Sequence, residues 1–166
     1  MSPQPDIRRA RPADLPAVLA LLEGARLPTA DIVGIDQPQI WVLEERGIIV
    51  GAIALERYGS EALVRSLVVA PEYRKRGFGR ELVALVEESA RQDRINQLVL
   101  LTETAEPLFR SLGYNTLDRR DVSERLRESA EFQSLCPASA TCLSKVLAKP
   151  ERLEKIDKSR SLGETS

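Results

Sequence analysis

The apolar positions change period around the middle of the chain. Ala62 to Val69 (ALVRSLVV) is a short run rich in Val and Leu, ended by Pro71, which reads as a buried strand closed by a residue that cannot donate to a ladder. Beyond Gly77-Phe78-Gly79 the spacing lengthens. Leu82, Leu85, Val86, Ser89 and Ala90 repeat at helical intervals and make one apolar or small-residue face, so strand, turn and helix follow in order. Asn96 to Leu101 is a second continuous apolar run, which a helical crossover of this length lays parallel to the first, covered on both faces.

Upstream, Ile7 to Arg11 reads as a first strand, and Asp14 as the N-cap of a helix whose core face is Leu15, Val18, Leu19 and Leu22. Gln39 to Leu43 and Ile48 to Glu56 are extended runs around Glu44-Glu45-Arg46-Gly47, a hairpin with glycine where a positive φ is easiest. Trp41, the only tryptophan, is expected in the core beneath it. Downstream, Thr104 to Leu112 predicts a short helix with Pro107 in its first turn and Gly113 as its C-cap, before extended Tyr114 to Leu117. Asp121 to Phe132 reads as another short helix and Ala140 to Leu147 as the last strand. Residues 1–148 form one domain in this reading, and 149–166 a charged, apolar-poor and flexible tail.

Composition narrows the chemistry. With 166 residues the chain suits a single domain with a core of its own, and a net charge of −1 argues against nucleic acid as a partner. No apolar stretch approaches the length of a membrane span and Met1 to Asp6 lacks a signal peptide's apolar core, so a cytoplasmic location is expected, with no membrane partner. The chain has no histidine, which removes histidine triads, histidine bases and histidine-ligated metals. Cys136 and Cys142 are too few for a disulfide scaffold or a four-coordinate zinc site, and no metal is expected.

The turn between strand and helix concentrates charge. Arg74, Lys75, Arg76 and Arg80 surround Gly77, Phe78 and Gly79 at a helix N-terminus, where unpaired N–H groups and the positive dipole end favour an anion such as a pyrophosphate. A P-loop fails, because Gly79 is followed by Arg80 and Glu81; a dinucleotide fingerprint fails at Leu82. Arg74-x-x-Gly77-x-Gly79 after Val68-Val69-Ala70-Pro71 resembles the coenzyme A signature of the GNAT acyltransferase superfamily. A second block, Thr102-x-x-Ala105-x-x-x-Phe109-x-x-x-Gly113-Tyr114, is similar to that family's Asn-x-x-Ala-x-x-x-Tyr-x-x-x-Gly-Phe, with two functional letters changed. Thr102 can make one of the contacts an asparagine makes to pantetheine, whereas Phe109 has no proton to give a departing thiolate. Glu131 to Ala140, with Leu100 to Ala105 and Leu63 to Val69, resembles the arsenic-resistance-associated ArsN-type N-acetyltransferases, a likeness that spans residues 7 to 147. A better characterised branch of that type acetylates the amino group of glutamate-like antimetabolites such as arsinothricin; this chain looks more like the second branch.

The resemblance implies an α/β (α+β) GNAT fold, a single mixed, mostly antiparallel sheet with a splayed central parallel pair and helices on both faces. It implies acetyl-CoA as cosubstrate, held by the backbone of Leu67, Val68 and Val69, by the turn from Arg74 to Arg80, and by Thr102 and Phe109. It also implies a small amine acceptor, an acceptor wall at Leu27 to Asp31, and a homodimer through the late strands. Two other readings stay open, a coenzyme-A-binding or arsenic-responsive protein without catalysis, and a peptide N-terminal acetyltransferase. The usual base positions hold Leu63 and Gln97, leaving Glu103 and Glu56 as carboxylates near strand ends, or a water relay. Arg65 interrupts an apolar strand and either grips an acceptor carboxylate or pairs internally with Glu56 or Glu61; Ser66 and Cys136 are further acceptor candidates. Cys136 as an acyl carrier, or with Cys142 as an arsenic(III) ligand pair, competes with the preferred structural role for both thiols.

Overall fold

Alternating or continuous apolar runs become seven strands in one sheet of the computed structural model, which describes residues 5–29, 32, 38–129, 132–133 and 139–147. They are β1 (Asp6–Arg9), β2 (Gln39–Glu45), β3 (Ile48–Tyr58), β4 (Glu61–Val69), β5 (Gln97–Thr102), β6 (Asn115–Thr116) and β7 (Thr141–Val146), ordered β1-β2-β3-β4-β5-β7-β6. Only β4 and β5 run parallel; every other neighbouring pair is antiparallel. The helices are α1 (Leu15–Gly24), α2 (Phe78–Gln92), α3 (Glu106–Ser111) and α4 (Glu124–Arg127).

The strand period sorts the core onto two faces. Trp41, Ile53, Leu55, Val64 and Leu100 pack under Leu82, Val83 and Val86 of α2 and Phe109 of α3. On the other face Val42, Ala52, Ala54 and Val68 pack under Val18 and Leu22 of α1, while Leu63, Val99 and Cys142 meet Leu126 of α4. Trp41 fills core, and the β2–β3 hairpin closes through two residues with positive φ, Arg46 at 52° and Gly47 at 80°. That pair matches the twist of the strands it joins.

Two features of β4 shape the site. Its ladder with β5 is confined to Glu61↔Gln97, Ala62↔Leu98 and Leu63↔Val99, after which the two strands part. The register with β3 also slips between Ala52 and Ala54, where Ser66 stands at φ 61°, a β-bulge. The extra residue leaves Leu63 and Val68 on the α1/α4 face, while Val64, Leu67 and Val69 join the α2 face.

Three local expectations change. Tyr114 to Leu117 contracts to the two-residue β6. Asp121 to Phe132 is not one helix: a 3₁₀ turn at Arg119–Asp121 precedes the four-residue α4, whose start is capped where Ser123 Oγ accepts the Leu126 N–H. On α2 the buried side includes Val83 and Glu87, and Leu85 and Ser89 are half-buried. Ala30, Asp31, Cys136 and the 149–166 tail lie outside the described residues. No described helix is long and apolar enough to cross a membrane.

Candidate active site

The turn after β4 is built by short-range bonds. Pro71–Tyr73 forms a 3₁₀ turn, and Arg74 Nε donates to the Val69 carbonyl at 2.9 Å, tying the turn back to the strand end. Lys75 and Gly77 then take φ values of 66° and 85°, and Gly77 caps α2. A Cβ on Gly77 would meet no atom within 4 Å, so the glycine serves backbone conformation and leaves open space beside the first N–H groups of α2. The Tyr73 hydroxyl donates to the Glu45 carboxylate, which pushes the Tyr73 pKa up, and Arg76 lies over the Tyr73 ring. Arg80 Nη2 donates to Ser111 Oγ at 3.0 Å.

A cavity of about 680 Å³ runs between this turn and the end of β4, walled by Leu67 to Val69 on one side and by Arg74, Lys75 and Gly77 to Arg80 on the other. A second, of about 610 Å³, continues from it along the parting between β4 and β5, with Val64 to Leu67 facing Leu100 to Thr104. The two share Ala25, Arg26, Leu27, Leu67 and Thr104, and so form one groove with a waist.

The candidate residues distribute along that groove. Thr102 lines the second cavity, but its Oγ1 already accepts the Ala105 N–H at 2.9 Å, closing the turn into α3. Phe109 touches the same cavity and packs edge-to-face on Tyr114, with ring centroids 5.2 Å apart. Glu103 is exposed at the cavity wall. Arg65 lines the cavity with its side chain 0% exposed, its Nη1 3.5 Å from Glu56 Oε1 and its Nε donating to Ser66 Oγ at 3.2 Å. Glu56 is therefore committed to an ion pair, and Arg65 both pairs internally and faces the cavity. Burial pushes the Cys142 thiol pKa up, as suits a core position in β7. Among the described residues no group of three His, Cys, Asp or Glu side chains could hold a metal.

Sequence reasoning missed Arg26. It stands at φ 60° just beyond α1, with its N–H donating to Glu23 O at 3.0 Å and the Leu27 N–H to Leu22 O at 2.9 Å. This pair of bonds is a Schellman motif, in which the left-handed residue is usually glycine. An L-residue there costs about 1 to 2 kcal/mol, and nothing in the letters announces an arginine in that role.

Residues 36–116 match the family model of the acetyltransferase (GNAT) domain. An N-acetylglutamate synthase from Neisseria gonorrhoeae, solved in complex with coenzyme A and N-acetyl-glutamate, superposes with a TM-score of 0.76 at 22% identity, over 90% of this chain and 36% of that one. The fold is the GNAT acetyltransferase fold. An amino-acid acetyltransferase of Aeromonas salmonicida is 36% identical to this chain over 83 residues, 49% of the chain and 19% of the relative. An uncharacterized N-acetyltransferase of Chlorobaculum tepidum is 25% identical over 144 residues, 82% of the chain and 90% of the relative. The chain thus spans 19% of the Aeromonas protein's length and 36% of the synthase's.

Proposed function

We propose that this chain, with its GNAT fold, is an acetyl-CoA-dependent N-acetyltransferase whose acceptor is a small amine of amino-acid type. The observation that carries it is the parting of β4 from β5 after Leu63 and Val99, which opens into a groove running from the glycine turn to Arg65. Acetyl-CoA, when bound, supplies the thioester carbonyl that the amine attacks. The N-terminal amides of α2, with Arg74, Lys75 and Arg80 around them, suit its diphosphate. The β4 edge beyond Leu63, no longer paired with β5, offers backbone donors and acceptors to an extended amide arm, as a strand edge does for a peptide. An N–H on that edge, near Leu67 at the groove's waist, would also face developing charge on the carbonyl oxygen.

The acceptor nitrogen must be unprotonated, and Glu103 is the carboxylate at the acceptor wall that could take its proton, directly or through water. Arg65 on the floor suits an acceptor carboxylate. No acid need be supplied to the leaving sulfur, since thiol pKa values lie near ~8.5 and a thiolate departs readily. This matters because Phe109 is inert and two tyrosine hydroxyls are engaged, Tyr114 with Glu87 and Tyr73 with Glu45.

Thiol release from acetyl-CoA, followed over amino acids, amino-group organoarsenicals and short peptides, tests the reading. Turnover with at least one amino acid is the expected result. Turnover with the organoarsenical amines as well would bring the acceptor range to that of the better characterised ArsN-type branch. The inert Phe109 favours a second reading, a coenzyme A binder without catalysis; calorimetric binding with no thiol release from any amine would establish it. Absence of coenzyme A binding would sink both.

A further inference from the structure

We infer that Arg26 recognises the α-carboxylate of the acceptor and so restricts the site to α-amino acids. The inference rests on the acetyltransferase reading and adds the selecting residue. Transfer must occur where the two cavities meet, at the waist formed by Ala25, Arg26, Leu27, Leu67 and Thr104. The α-carboxylate of an amino acid is two bonds from the reacting nitrogen. Its counter-charge therefore has to stand at the waist rather than at either end.

The cations divide accordingly. Arg74, Lys75 and Arg80 line only the cofactor end and Arg65 only the acceptor end, whereas Arg26 lines both cavities. Arg26 is exposed, and makes no side-chain hydrogen bond or ion pair with the described residues, so its guanidinium fork is available to a carboxylate. Arg65, farther along the acceptor end, is left to face whatever the acceptor's side chain carries.

The experiment compares steady-state constants of the full chain and its Arg26→Gly and Arg26→Met variants with acetyl-CoA and three acceptors: glutamate, its α-amide, and its γ-amide glutamine. The wild type should favour glutamate over the α-amide by roughly 10- to 100-fold in kcat/KM, the range for a charge-assisted hydrogen bond. Both variants should lose that preference through KM while keeping the ratio of glutamate to glutamine. Arg26→Gly should melt no lower than the parent, because its backbone geometry suits glycine. Equal use of glutamate and its α-amide by the wild type, or an unchanged ratio in the variants, overturns the role of Arg26 while leaving the acetyltransferase reading intact. Failure of the wild type to acetylate any of these three overturns this inference, and failure with every amine of the wider amino-acid, organoarsenical and peptide panel overturns the acetyltransferase reading as well.

Discussion

Lys145→Met is the sharpest probe of how α2 is fixed to the sheet. Glu87 is 7% exposed on the buried side of α2, and Lys145 Nζ on β7 lies 3.1 Å from both of its carboxylate oxygens. The same ammonium donates to Leu112 O at 2.8 Å and sits 5.5 Å from the Tyr114 ring centroid, while the Tyr114 hydroxyl donates to Glu87 at 2.9 Å. Burial, with Glu87 beside it, pushes the Tyr114 pKa up, so the phenol stays a donor. At an effective dielectric near 20 an ion pair at this distance is worth about 5 kcal/mol before desolvation. Breaking a fully buried pair costs about 3 to 5 kcal/mol. Lys145 keeps 24% of its side-chain exposure and Arg91 stays 3.8 Å from Glu87, so about 2 to 3 kcal/mol is expected. For a chain of this size that lowers Tm by about 4 to 12 °C. In a double-mutant cycle, Glu87→Gln, which still accepts from Tyr114, should show a coupling of about 1 to 2 kcal/mol with Lys145→Met. Chemical denaturation measures all four corners. A Lys145→Met chain within about 0.5 kcal/mol of the parent, or strictly additive single effects, would refute the clamp.

Two further expectations follow from the same face-by-face geometry. A Cβ on Gly51 would stand 3.1 Å from Val68 O and 3.2 Å from Leu43 Cβ, so Gly51→Ala should cost about 1 to 3 kcal/mol and, by displacing Val68, weaken coenzyme A in calorimetry. Unchanged stability and affinity would show that β3 and β4 yield freely there. Hydrogen bonds from the Arg8 guanidinium hold the Asp14 carboxyl down to about 2, from an ordinary 3.8. A depressed carboxyl pKa contributes stability that is present above the unfolded value and lost as pH falls through the folded one. Melting temperatures should therefore drop between about pH 4 and pH 2, and Asp14→Asn should flatten that limb; parallel curves for the two chains would count against it.

The parts of the fold that follow from period and punctuation were legible in the letters. The β-branched run before Pro71, the helix after Gly79, and the hairpin at Arg46-Gly47 each rest on a local preference that the tertiary contacts do not oppose. Ser66 was legible as an acceptor candidate but not as a bulge, because serine carries no signal for a positive φ and the bulge is imposed by strands on either side. The 121–132 segment failed for a related reason. Val122 and Leu126 have helical spacing, but Ser123 between them starts a new helix instead of continuing one. Glu87 is absent from the face read from the sequence and is buried, with its partner Lys145 58 residues away in the chain. Of the candidate site, the turn from Arg74 to Arg80 announces itself through composition, and the strand end at Leu67 to Val69 through the family resemblance. Arg26 does not, because an arginine in a helix-terminating role reads as an ordinary surface residue until the cavities on both sides of it are seen.

The short ladder between β4 and β5 has a mechanical meaning. Three rungs fasten the four-stranded block β1 to β4 to the block of β5, β7 and β6. The sheet is in effect two boards joined over part of one edge, with the two helical layers as battens. A long, flexible molecule laid along the open part of the joint and bonded to its rim would act as a spline, stiffening the two boards against each other while it stays and leaving them looser when it departs. Occupancy of the groove would then be felt at the far ends of the sheet without any residue there touching the guest.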